Sequence, residues 1–137
     1  MPHIVLQLSG PVDAALATRS VEKVIDLTCR VLGKKPEVIS IQVLFTPSEQ
    51  WFIAGKTLAQ TGQSAFHLDI SVTDETNTKA EKAQFIRELH AAMKVLLPNL
   101  HECSYTHVID ARATAYGYGG RTQEYRHQQS QRDDMNR

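Results

Sequence analysis

Phe66-His67-Leu68-Asp69-Ile70-Ser71-Val72 alternates apolar and polar side chains at every step. That is the two-residue period of a strand with one buried face. The same face occurs 64 residues earlier, in Pro2-His3-Ile4-Val5-Leu6-Gln7-Leu8, where Ile4, Leu6 and Leu8 fall on Leu68, Ile70 and Val72. The match continues outward from both strands. Val21, Ile25, Val31 and Leu32 fall on Phe85, Leu89, Val95 and Leu96, and Lys23 and Arg30 fall on Arg87 and Lys94. Ser40-Ile41 and Leu44-Phe45 fall on Ser104-Tyr105 and Val108-Ile109. One inserted residue after that point puts Trp51, Gly55 and Lys56 on Tyr116, Gly120 and Arg121. Identities are few, so the periodicity of the pattern carries the repeat.

Each unit therefore reads as strand, helix, strand and short aromatic-glycine hairpin. In the first, Asp13 is placed to cap a helix that runs to about Leu32, where Gly33 stops it and Pro36 keeps it from resuming. In the second, Thr78-Lys79-Ala80-Glu81 is a capping box opening a helix that ends near Leu97, before Pro98. The second strands are read at Val38–Phe45 and Cys103–Ile109. Val38–Phe45 is apolar at nearly every position, as in a strand covered on both faces. The connections are long enough for parallel crossovers. The expected fold class is α/β (α+β): tandem β-α-β units forming one four-stranded mixed sheet with two helices on one face. The other sheet face needs cover, expected from further subunits. Residues 1–126 read as a single domain, with pseudo-repeats 2–57 and 66–121. The Gln-, Arg- and Asp-rich segment 127–137 reads as a disordered tail.

The 137 residues suffice for one domain with a real core. Lys plus Arg and Asp plus Glu both total 15, a balance that argues against a nucleic-acid or membrane-surface binder. There is no apolar run of membrane-span length and no signal-peptide pattern. Cys29 and Cys103, without CxxC spacing, read as reduced, mostly buried thiols of a cytoplasmic protein. The six histidines form no HxH or HExxH pair, so no metal and no cofactor is expected.

Pro2 is the candidate for chemistry, although Met-Pro is also a common start with none. An initiator methionine before proline is normally removed, leaving a ring nitrogen that is a free secondary amine. An α-amino group ionises near pH 8. Burial or a nearby cation lowers that value, and at about 6–7 the nitrogen is a competent base at cell pH.

These residues resemble the tautomerase superfamily, 4-oxalocrotonate tautomerase-like, in its fused two-unit form related to cis-3-chloroacrylic acid dehalogenase and macrophage migration inhibitory factor. The resemblance lies in Met1-Pro2 leading directly into a strand, in Ser40–Thr46 followed by Trp51-Phe52-Ile53-Ala54-Gly55, and in Tyr116-Gly117-Tyr118-Gly119-Gly120. It covers residues 2 to about 121. It implies an N-terminal catalytic proline, a small-molecule substrate and a homotrimer. Pro2 is the implied base. Lys34, in Gly33-Lys34-Lys35-Pro36, takes the place of a lysine at the site's mouth; carboxylate ligand and plain loop residue are both open roles. His107 takes the place of a site tyrosine, with hydrogen bonding inside the strand as its other reading. Trp51, Phe52 and Tyr116 are placed to wall a pocket or to pack between subunits. Gln42 stands where a family arginine lies on the second strand. Other family arginines fall on Asp74 and Asn77, and a water-activating glutamate falls on Ala115. Arg112 and Arg121 are spare cations near the last strand and hairpin, with a plain surface role as the favoured reading of each. The expected function is cofactor-independent keto-enol tautomerisation or isomerisation of a small 2-oxo or 2-hydroxy unsaturated acid. The alternatives are a hydratase, decarboxylase or dehalogenase of small unsaturated acids, or a non-catalytic trimeric binding protein.

Overall fold

The computed structural model describes residues 2–136. The first unit comprises β1 (His3–Ser9), α1 (Ala14–Arg30), β2 (Ser40–Thr46), the hairpin β3 (Phe52–Ile53) and β4 (Lys56–Thr57), and the one-turn helix α2 (Leu58–Thr61). The second repeats the order with β5 (Phe66–Thr73), α3 (Lys79–Leu96), β6 (Tyr105–Ala111), the hairpin β7 (Gly117–Tyr118) and β8 (Arg121–Thr122), and α4 (Gln123–Met135). The main sheet runs β2-β1-β5-β6. Strands within a unit pair parallel, and the units join through antiparallel β1 and β5. The four-stranded mixed sheet is therefore as expected.

The alternation decides which face is buried. Ile4, Leu6 and Leu8 of β1 and Phe66, Leu68, Ile70 and Val72 of β5 are fully buried. They pack with Val24 and Leu27 of α1 and Phe85, Leu89 and Met93 of α3 in one core. The helices start where their caps demand. Asp13 accepts the Leu16 N–H, and Thr78 and Glu81 exchange both bonds of a capping box. Gly33 adopts φ +69°, a conformation open to glycine at little cost, and turns the chain back after α1.

The strand register corrects the sequence alignment of the repeat. Ile4 pairs Ile41, whereas Leu68 pairs Thr106. The inserted residue therefore enters before β6, not after it, and Ile41 corresponds to Thr106 rather than to Tyr105. A one-residue slip exchanges the two faces of a strand, so Gln42 and His107 become equivalents. Burial agrees: Ile41 and Thr106 are half-buried, Gln42 and His107 exposed.

Two further expectations change. The segment read as a disordered tail is helical as far as Met135. Thr122 caps α4 as Thr57 caps α2, and the N–H groups of Leu58 and Gln123 bond the carbonyls of Trp51 and Tyr116 at 2.9 and 3.0 Å. In the first unit Gly62, at φ +69°, ends the helix after one turn. The second unit has His127 at the matching place, and the helix continues. Cys103, read as mostly buried, is exposed. β2, read as covered on both faces, lies at the sheet edge with Leu44 47% exposed. No described helix is long and apolar enough to cross a membrane.

Candidate active site

The antiparallel pairing of the two units decides what Pro2 meets. Because β5 runs against β1, with His3 opposite Ser71, the exit of β5 lies at the entrance of β1. β6 is parallel to β5 and ends there too, with Thr73 opposite Ala111. The loop after α1 returns to the same end, since it must feed β2 beside β1. One end of the sheet thus gathers Pro2, Lys34, the Thr73–Thr76 turn, Arg112 and the second hairpin.

Pro2 is buried and continues the core-facing alternation of Ile4 and Leu6. Its carbonyl accepts a 3.4 Å bond from the Ser40 N–H, fixing the entry of β1 against β2. Lys34 is half-buried. Its Nζ donates to Thr76 Oγ1 at 2.9 Å. Burial lowers the Lys34 pKa, and the charge of Glu81 works in the opposite direction. Among the described residues no carboxylate lies within ion-pair distance of Lys34. Asn77, beside this turn, donates to the Leu32 carbonyl at 2.9 Å and holds its buried Oδ1 without a partner among the described residues. Tyr116 OH and Thr73 Oγ1 are 2.7 Å apart, which ties the second hairpin to the exit of β5.

Beyond this turn opens a cleft of about 940 Å³ between the ends of β5 and β6 and the first turns of α4, lined by Thr73, Thr76, Arg112, Tyr118 and Arg126 among others. Arg126 stacks its guanidinium 3.8 Å from the Tyr118 ring centroid and donates to the Tyr118 carbonyl at 2.9 Å. Arg121 is exposed and lies 5.4 Å from the Tyr125 ring centroid.

The remaining sequence candidates sit elsewhere in a single chain. Trp51 is half-buried and Phe52 is 63% exposed on the first hairpin. That hairpin follows β2, whose end pairs Ser9, so it lies at the opposite end of the sheet, about 20 Å from Pro2 at roughly 3.3 Å per residue. Within one chain these rings do not wall the Pro2 site. Gln42, Val5, Asp69 and His107 form one row across the sheet. This row is on the face away from the helices, opposite to the face Pro2 continues. Asp69 Oδ1 lies 2.9 Å from His67 Nε2 and 3.9 Å from His107 Nδ1, so His107 has its neighbours within this face. Sequence reasoning missed Thr73, Thr76, Tyr118 and Arg126. The signal was the antiparallel joining of the units, which the repeat pattern does not encode.

No protein-family model matches the chain, and no curated protein matches it. Solved structures do. A native fused 4-OT superposes with a TM-score of 0.73 at 16% identity, covering 90% of this chain and 97% of that one. Pt0534, crystallised after inactivation by 2-oxo-3-pentynoate, gives 0.75 at 12% identity, covering 90% and 98%. A macrophage migration inhibitory factor-like protein from Entamoeba histolytica gives 0.68 at 15% identity, covering 88% and 97%. Two β-α-β units joined antiparallel thus give this chain the fold of the fused 4-OT structures.

Proposed function

We propose that the chain is a cofactor-independent tautomerase of a small 2-oxo or 2-hydroxy unsaturated acid, with Pro2 as general base once Met1 is removed. The observation that carries this reading is the end of the sheet itself. A buried Pro2 enters β1 at the end of the sheet where a half-buried Lys34 has no carboxylate within ion-pair distance among the described residues. A cation held in partly desolvated surroundings disfavours a second positive charge nearby, which keeps the ring nitrogen neutral. Neutral Pro2 takes a proton from the enol oxygen, or from the carbon beside a carbonyl, and returns it to another atom of the same conjugated system. The Lys34 ammonium stabilises the negative charge that develops on oxygen meanwhile.

The open sheet face supports assembly. Val5, Leu44, Tyr105 and Ile109 share it with the Gln42–His107 row, and Tyr105 is 69% exposed. A homotrimer like the symmetric trimers of fused 4-OT would cover this face. It would also give the Trp51–Phe52 hairpin a neighbouring copy to reach. One observation favours a second reading, a non-catalytic trimeric binding protein: Asp74 and Asn77 occupy positions where the resemblance places arginines. Ala115 gives water no carboxylate at the matching place, which sets the hydratase, decarboxylase and dehalogenase alternatives lower.

The test is ketonisation of phenylenolpyruvate and of 2-hydroxymuconate by the native protein and by Pro2→Ala, after mass spectrometry shows Met1 removed. A fall of about 100-fold or more, roughly 2.7 kcal/mol of transition-state stabilisation, supports Pro2 as base. Equal inactivity of both proteins on both substrates overturns the tautomerase reading in favour of binding.

A further inference from the structure

We propose that Arg112 is the residue that fixes the ligand's carboxylate at this site, a specificity role that the ladder has moved across one strand. The proposal rests on the reading of the Pro2 end as the site. Thr73 pairs Ala111, and the Asp74 N–H donates to the Ala111 carbonyl at 2.8 Å. Position 112 therefore stands directly across the β5–β6 ladder from position 74. At position 74 the chain carries an acid, and the neighbouring strand supplies the cation.

Among the described residues Arg112 has no internal counter-ion, in a cleft whose lining sets Asp74, Glu75 and Glu124 against Arg112 and Arg126. Other basic groups at this end have partners within the chain, Lys34 through its bond to Thr76 Oγ1. Lys82 Nζ is 2.7 Å from Asp110 Oδ2, Arg126 is stacked on Tyr118, and Arg121 lies over Tyr125. Arg112 is exposed at the mouth of the cleft, and among the described residues no carboxylate lies within ion-pair distance of it. Asp74, Glu75 and Glu124 line the same cleft without reaching it. A planar guanidinium offers a carboxylate two parallel N–H donors.

The spacing fits a small acid. Continuing the ladder places Pro2 across from Val72, and Val72 pairs Asp110. Two strand spacings of about 4.8 Å and two residue rises of about 3.3 Å then separate the Pro2 and Arg112 backbones by roughly 12 Å. An extended arginine side chain covers about half of that gap. What remains is the length of a short acid with its reacting carbon at Pro2 and its carboxylate toward Arg112. Thr73 and Thr76 line the same cleft as Arg112, their hydroxyls bonded to Tyr116 OH and Lys34 Nζ.

The experiment measures Arg112→Gln and Arg112→Lys beside the native protein in two ways. Calorimetry with phenylpropanoate, a carboxylic acid without an enol, reads binding irrespective of turnover. Ketonisation kinetics with phenylenolpyruvate and its methyl ester separate KM from kcat. The expected result is that Arg112→Gln weakens phenylpropanoate binding about tenfold or more and raises KM for the acid by a similar factor. The ester and kcat change less than twofold, and Arg112→Lys recovers part of the loss. If the native protein binds phenylpropanoate through Arg112 but turns over neither substrate, the carboxylate site stands and the Pro2 chemistry fails. Unchanged binding in Arg112→Gln, equal losses for acid and ester, or no binding by the native protein overturns the proposal.

Discussion

Leu68 and Leu44 are the same side chain on opposite faces of one sheet, and truncating each to alanine separates the core from the open face. Leu68 is 0% exposed on central strand β5, between β1 and β6 and beneath both long helices. Leu68→Ala removes three buried carbons, about 2.4 kcal/mol at about 0.8 kcal/mol each. It also leaves a cavity between rigid layers, which raises the cost to roughly 3–5 kcal/mol. That is a large part of the roughly 5–15 kcal/mol that stabilises a domain of this size. Leu44 is 47% exposed on the edge strand β2, and its loss opens to solvent rather than making a void. Leu44→Ala should cost about 1 kcal/mol or less in the separated chain. The assay is urea unfolding at several protein concentrations. With a slope of about 2 kcal/mol/M, Leu68→Ala moves the midpoint down by roughly 2 M at every concentration. Leu44→Ala matters chiefly where native chains are assembled, and its effect shrinks on dilution. Equal, concentration-independent costs for the two would refute a single core on one face and an assembly surface on the other.

Three further outcomes follow from particular groups. Lys34 has a lowered pKa in the folded chain, so between that value and the unfolded one near 10.4 the unfolded chain holds a proton the folded chain has released; stability rises with pH across that window. A carboxylate bound beside Lys34 favours its ammonium, so acid binding should weaken as pH rises through the folded value and take up protons there, which calorimetry in buffers of different ionisation enthalpy measures. Gly117→Ala would set a methyl group 1.9 Å from the Arg121 carbonyl oxygen, within the β7–β8 hairpin; ligand binding should fall at least tenfold while the thermal midpoint moves by a few degrees at most, because the hairpin lies off the main sheet. Thr122→Ala removes the bond from the Tyr125 N–H at 3.0 Å, about 1 kcal/mol of capping; a helix that is polar all round should then fray, seen as reduced helicity by circular dichroism with α1 and α3 intact.

The strands and caps were legible because each is local. Asp13, Gly33 and the Thr78–Glu81 box act within one turn of chain, and the alternation in residues 66–72 names its own buried face. The place of the inserted residue was not legible, because β2 and β6 carry apolar residues on both faces and either register satisfies the pattern; pairing with β1 and β5 decides it. α4 was missed because its composition resembles a solvated tail, and composition outweighed the Thr122 cap that matches Thr57. At the candidate site, Pro2 and Lys34 were singled out by the resemblance, each from its own neighbours in sequence. Thr73, Thr76 and Arg112 join them only because β5 runs against β1, a long-range choice made by the packing of two helices on one sheet face.

The measurement that tests the central claim most directly is a ¹⁵N titration of the Pro2 ring nitrogen in protein shown by mass to lack Met1. The account predicts an apparent pKa well below the ordinary α-amino value of about 8, and a rise back toward that value when Lys34 is changed to Gln. A value at or above about 8 would contradict it, because a protonated Pro2 cannot serve as the base at cell pH.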